Sequence, residues 1–139
     1  MALTVRVIAS NKTVWEDAAD EVILPSTTGQ LGILSGHAPL LSALDIGVMQ
    51  VRPQSQKEWL PIALMGGFAE VENNEVTILV NGGDLGNDID LKQAESAYED
   101  AEQRLRQVNP DDSQEKFQAT QALKRARARF QAAGGMVKV

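Results

Sequence analysis

The 139-residue chain contains no cysteine and a single histidine. The first absence removes a disulfide framework, a thiolate metal site and a thiol nucleophile, and it suits a reducing compartment. The second excludes a multi-histidine metal site and leaves His37 without the partners a histidine relay needs. No apolar run approaches the roughly 20 residues of a membrane-spanning helix. Residues 1–10 alternate between apolar and polar, so they read as a strand and not as a signal peptide. Basic residues are in the minority, 13 against 19 acidic, for a net charge of -6. A non-specific nucleic-acid binder needs the opposite balance to displace counterions from phosphates. Any membrane association is therefore expected to run through a partner. The length allows one domain and an appendage, since a domain of roughly 80 to 150 residues buries about 60 to 70% of its unfolded surface.

What is present divides into two periodicities. From Leu3 to Leu85 the period is near two: Leu3, Val5 and Val7 alternate with Thr4 and Arg6, and Val22 to Leu24 and Val76 to Val80 are rich in strand-forming residues. Turn signals at Ser10-Asn11, Ser26 to Gly29, Pro53 to Ser55, Asn73-Asn74 and Gly82-Gly83 recur at about the 8 to 12 residue spacing of a sandwich or barrel. Pro53 and Pro61 belong at strand starts, ends or edges, because proline donates no ladder hydrogen bond. Asn73-Asn74 tolerates left-handed backbone and predicts a hairpin. Past Gly86 the period becomes about 3.6 and alanine replaces the β-branched residues. Asp90 with Gln93 forms a capping signal, Leu91 to Val108 carries a helical pattern, and Asn109-Pro110 stops it. Asp112 with Glu115 starts a second helix, expected over Ser113 to Ala133 and ended by Gly134-Gly135. The fold class is thus α+β: an all-β sandwich or barrel over residues 1–86, followed by an antiparallel two-helix hairpin over 87–139.

The predicted apolar stripe of the first helix is Leu91, Ala94, Ala97, Tyr98, Ala101, Leu105 and Val108. That of the second is Ala119, Ala122, Leu123, Ala126, Phe130 and Ala133. Both are thin. At about 25 cal/mol per Å², methyl-sized groups bury little area, so docking of the hairpin is expected to be weak and to permit two positions. The same composition also suits an ordinary hairpin that never moves. Glu95, Glu99, Asp100 and Glu102 load the first helix, while Lys124, Arg125, Arg127 and Arg129 load the end of the second. Antiparallel packing is expected to set these charges opposite each other. The basic margins of the Leu123-Ala126-Phe130 strip also fit an acidic partner groove.

Residue patterns for chemistry are missing. The glycines from Gly29 to Gly36 lack the Gly-Lys-Ser/Thr ending of a phosphate loop and the spacing of a dinucleotide loop. Asp84, Asp88, Asp90 and Glu95 imitate a calcium loop only loosely, with Gly86 and Ile89 where that loop needs a ligand and a glycine. The carboxylates lie in a linker or on an exposed helix, with no apolar pocket to raise a pKa. No catalytic residue, metal ligand or cofactor is assigned.

The segment Pro25-x-x-x-Gly29-x-x-Gly32-Ile33-Leu34-x-Gly36-His37-Ala38-Pro39-Leu40-Leu41, read with Met65-Gly66-Gly67-Phe68-Ala69-Glu70-Val71 and Asn74 to Val80, resembles the epsilon-subunit family of the F-type ATP synthases nearly end to end. Asp45-Ile46-Gly47-Val48-Met49, Leu64 to Phe68 and Val80-Asn81 are most similar to its cyanobacterial and plastid branch. The resemblance implies a non-catalytic rotor subunit: a β-sandwich of about ten strands that binds the gamma subunit and rests on the ring of membrane c subunits. By position, Thr28, Gly29, Gln30 and Leu31 would touch the c ring, and His37, Ala38 and Ser42 would face gamma. The hairpin would fold on the sandwich or extend along gamma. Extended, its Lys124, Arg125, Arg127 and Arg129 would meet the catalytic beta subunit, with alpha beside it, and restrain ATP hydrolysis. Its implied place is peripheral, on the cytoplasmic or stromal face of an energy-transducing membrane, the thylakoid for this branch. Nucleotide-binding members carry Ile-Asp-x-x-Arg-Ala, but Ile89-Asp90-Leu91-Lys92-Gln93-Ala94 puts a neutral amide where the arginine fork belongs, so ATP binding is not expected. Outside the resemblance, a free-standing adaptor with a fixed hairpin remains as an alternative, and so does a small-ligand or sugar enzyme on a β-sandwich. The adaptor would show as a dimer without gamma. The enzyme requires a concave polar pocket with clustered titratable residues.

Overall fold

The computed structural model describes residues 2–10 and 12–137. Seven strands come first: β1 (Leu3–Ala9), β2 (Lys12–Ser26), β3 (Gly29–Leu34), β4 (Leu40–Pro53), β5 (Leu60–Glu72), β6 (Glu75–Val80) and β7 (Gly83–Leu85). A single 3-10 turn, Gly86–Asp88, then leads into α1 (Leu91–Gln107) and α2 (Ser113–Ala132). The strand order is β1-β6-β5-β4-β2-β3, with β7 on β5, and pairing of β1 with β2 closes the path. Every pairing is antiparallel except that of β1 with β6.

The strand count departs from the ten or so expected, and the reason lies in how the long strands turn corners. The first half of β2 pairs with β1, and its second half pairs with β3 and β4 across two register shifts. β5 pairs with β7 over Ile62 to Leu64 and with β6 from Gly67 onward. Gly66 at φ 83° and Gly67 at φ 154° stand at that switch. A bulge or glycine bend lets one strand serve two layers without a break.

The core follows the alternation. Leu3, Val5 and Val7 are fully buried, as are Val22, Leu24, Ile33, Met49, Val51, Ile62, Leu64, Val76 and Ile78. No buried polar side chain occurs among the described residues. The Asn73-Asn74 hairpin forms with both residues left-handed, at φ 51° and 65°. Pro53 ends β4 and Pro61 is the second residue of β5, both at strand limits.

Local capping fixes the helix limits. The Asp90 carboxylate accepts from the Gln93 amide at 3.1 Å and that of Asp112 from the Glu115 amide at 3.0 Å. Past α2, Gly134 turns left-handed at φ 103°, and the Gly135 amide donates to Phe130. Such caps satisfy groups that a helix end leaves open.

The helix faces differ from expectation in two ways. On α1 the buried line is Ala94, Ala101 and Val108 with Tyr98 and Leu105 half-buried, while Ala97 is exposed and Leu91 keeps 44% of its surface. Ala97 and Leu91 each lie roughly 60° off that line, beyond the reach of α2. On α2, Ala128 and Ala132 are buried although neither belongs to the predicted stripe. They lie roughly 170° and 130° around the helix from the stripe's centre, because α2 is sandwiched between α1 and the strands. Ala128, Ala132 and Phe130 join Ala63, Ile89 and Ala94 in a second cluster, flanked by Ile46, Val48 and Met65. Tyr98 stacks on Phe130 with ring centroids 5.4 Å apart.

Candidate functional site

No charged residue lies between Glu21 and Asp45, and this neutral stretch runs from the end of β2 through β3 into β4. The β2–β3 hairpin carries it outward, with Ser26 paired to Gly29 across a Thr27-Thr28 loop. The Ser26 hydroxyl donates to the Gly29 carbonyl at 2.6 Å and accepts from the Thr28 amide at 3.3 Å. The Thr27 amide donates to the Ala43 carbonyl at 3.2 Å, tying the loop to β4. Thr28, Gly29 and Gln30 are exposed and Leu31 is half-buried against the core. The result is an exposed, uncharged, polar tip held by its own hydrogen bonds. It suits contact with another polar loop.

A second surface begins at the turn after β3. The Gly36 amide donates to the Asn74 side chain at 2.7 Å, and the His37 amide donates to the Leu34 carbonyl. His37 is half-buried, its Nδ1 2.7 Å from the Ala38 carbonyl, and Ala38 is exposed. Ser42 points to the inner side of β4, where it pairs with the fully buried Ala69 and donates to the Ala43 carbonyl. The outward side carries Leu41 at 72% exposure, Phe68 at 58% and Leu79 at 53%. Registers Ala43↔Phe68, Phe68↔Leu79 and Ile8↔Leu79 make Ala43, Phe68, Leu79 and Ile8 one apolar row across four strands, and Leu41 lies beside it on the same face of β4, opposite Glu70. Sequence reasoning missed Leu41, Phe68 and Leu79. Its available signal was phase: Phe68 and Leu79 fall on the positions between the core residues Ala69, Val71, Ile78 and Val80. Such a strip is a candidate surface for a protein contact.

Two of the cations of α2 are directed at the strands and not at α1. Lys124 lies 2.8 Å from the Asp45 carboxylate on β4, and Arg129 pairs with Asp84 on β7. The Lys124 ammonium, hydrogen-bonded to Asp45, holds that carboxyl below its usual range against the opposing effect of burial, with help from the Ile46 amide. Arg125 and Arg127 are exposed. The expected pairing of α1 acids with α2 bases is thus corrected: the strands offer carboxylates nearer the bases, and Glu102 of α1 lies 4.0 Å from its own helix's Arg106. Asp90 is engaged as the cap of α1, and Gln93, whose amide it receives, is exposed. Among the described residues no group of three or more His, Asp or Glu side chains is placed to hold a metal ion.

Comparison with known proteins accounts for both halves. Residues 2–83 match the family model for the ATP synthase delta/epsilon chain, beta-sandwich domain, and residues 87–134 match that for its long alpha-helix domain. An ATP synthase epsilon chain of Synechococcus elongatus is 67% identical over 139 residues, covering all of both chains. One from a Cyanothece species is 69% identical over 140 residues, again covering both completely. A Euglena gracilis mitochondrial ATP synthase structure contains a chain of the same fold at TM-score 0.79 and 19% identity, covering 95% of this chain and 81% of that one. A Tetrahymena thermophila ATP synthase central-stalk and c-ring structure contains another, at TM-score 0.61 and 15% identity, with 95% and 96% covered. With both halves matched in order and the cyanobacterial relatives aligned along their full length, the chain belongs to the ATP synthase delta/epsilon chain family.

Proposed function

We propose that this chain is a non-catalytic central-stalk subunit of a proton-translocating F-type ATP synthase. The observation that carries the reading is the uninterrupted kinship with cyanobacterial epsilon chains across sandwich and hairpin alike. Residues 1–86 serve as the anchor. The neutral tip at Thr28, Gly29, Gln30 and Leu31 rests on the c ring, where uncharged polar groups meet polar loops without burying a charge. The turn at His37 and Ala38 lies against gamma, with Ser42 supporting it from the inner side of β4, and the strip of Leu41, Phe68 and Leu79 supplies the apolar area that a lasting subunit contact needs. Residues 87–139 are the regulatory part, with Lys124, Arg125, Arg127 and Arg129 directed at an acidic segment of the catalytic beta subunit, beside alpha. The subunit sits peripherally on the cytoplasmic or stromal face of an energy-transducing membrane, the thylakoid by kinship. No helix among the described residues is long and apolar enough to cross one. Asp90 and Gln93 receive a capping role and no nucleotide.

The test is ATP hydrolysis by a catalytic head that contains gamma and lacks this subunit. Adding back the whole chain is expected to slow hydrolysis, whereas a chain cut after Asp88 is expected to bind gamma without slowing it. Failure of both to bind gamma would remove the rotor assignment.

A further inference from the structure

The hairpin meets the sandwich along a seam of unusually small residues. Ala128 and Ala132 of α2 lie over Ala63, and Gly86 comes so close to the Ala132 carbonyl that no Cβ fits between them. Methyl groups bury little area, so the apolar part of this docking is modest. The seam has charged margins on both sides. Lys124 and Arg129 stand roughly 140° apart around α2 with Ala128 and Ala132 between them, and each meets a carboxylate from a different strand: Asp45 of β4 and Asp84 of β7. Asp45 occupies a gap in the β4–β5 ladder, between the pairs Leu44↔Gly67 and Ile46↔Met65. Its Oδ1 accepts from the Ile46 amide at 2.8 Å, which aims the carboxylate before Lys124 arrives. All four side chains are partly exposed, so both pairs lie within reach of salt.

We propose that Asp45 and Asp84 form an ionic latch that holds the hairpin on the sandwich by occupying Lys124 and Arg129, two of the four cations assigned to the inhibitory contact. Docking and inhibition are then mutually exclusive uses of the same charges. Arg125 and Arg127, exposed in the docked state, are free to meet an acidic partner first; Lys124 and Arg129 follow only when the latch opens. The partner is recognised by its chemistry, a carboxylate-rich segment able to outcompete two fixed aspartates. The latch itself stands on the geometry of this chain. Its competition with inhibition rests on the function proposed above.

The experiment uses the full chain and an Asp45→Asn/Asp84→Asn variant, which removes charge at nearly constant shape. Amide hydrogen exchange across residues 119–133 is measured at low and at about 0.5 M salt, where the screening length falls to a few Å. In the unaltered chain, exchange in α2 is expected to rise about three- to tenfold with salt, the range for loss of two partly exposed pairs. In the variant it is expected to be fast at both concentrations, with the amides of β1 and β6 unchanged as a check on the fold. Equal, salt-independent exchange of α2 in the unaltered chain overturns the latch whether or not the variant folds. Inhibition of the gamma-containing head is measured alongside, and the variant is expected to inhibit at a severalfold lower concentration. Faster exchange with unchanged potency overturns the competition and leaves the latch. If neither protein inhibits, the proposed function fails while the exchange data still decide the latch.

Discussion

At the scale of single residues, the arrangement depends on a few positions where only one side chain fits. Gly67 combines a φ of 154° with a site at which an added Cβ collides with the Leu79 carbonyl backbone. The corner of β5, and with it the change of partner from β7 to β6, hangs on that glycine. Gly67→Ala is expected to destabilise the sandwich by about 2–4 kcal/mol, since neither the backbone of β6 nor the left-handed conformation can yield cheaply. Urea unfolding followed by far-UV circular dichroism measures the shift in midpoint. An unchanged midpoint would mean that the corner relaxes by some other route. The Gly66-Gly67 pair is visible in the sequence, but the carbonyl it accommodates belongs to a strand a dozen residues on.

Among the elements, α2 is decisive because it is the one helix with two buried faces. Phe130 stacks on Tyr98 of α1, and Ala128 and Ala132 face the strands. The periodicity of alanine and leucine exposed the first face and hid the second, since a small residue carries no periodic signal strong enough to separate a seam from an exposed surface. Gly86 sits where the second face closes. Gly86→Ala is expected to drive the C-terminal end of α2 off the sandwich, since the new methyl group meets the Ala132 carbonyl. Amides of residues 128–133 should then exchange about tenfold faster or more, while those of β1, β4 and β6 keep their protection. Equal slowing or speeding across the whole chain would instead mark a general change in stability. The caps of both helices, by contrast, were legible at Asp90 and Asp112, because a cap is made by residues three apart.

For the molecule as a whole, function depends on which surfaces face outward. The strip of Leu41, Phe68 and Leu79 crosses strands that are adjacent in space and scattered in sequence. Phe68→Glu places a charge in the middle of it without touching the core, and is expected to weaken binding to gamma by about tenfold or more, as loss of an aromatic anchor does. Titration of labelled gamma-containing head against the chain reads this directly. Full affinity in the variant would move the gamma-facing surface to another side of the sandwich. The segment from Pro25 to Leu41 was legible in the sequence as an ordered motif of glycines and prolines. The strip beside it was not, because register decides which alternate residues share a face.

The sequence by itself determined the two-part organisation, the Asn73-Asn74 turn, both helix caps and the family, because each rests on residues close together or on an ordered motif. Only the tertiary structure decided that two long strands, β2 and β5, bend instead of breaking, that α2 is buried on opposite sides, and that Lys124 and Arg129 pair with the sandwich. Lys124 and Asp45 are 79 residues apart, and Arg129 and Asp84 are 45 apart. Such pairs have no local signature: a charge on a helix selects its partner by the distances that the folded backbone sets, and Asp45 and Asp84 lie nearer to Lys124 and Arg129 than the acids of α1.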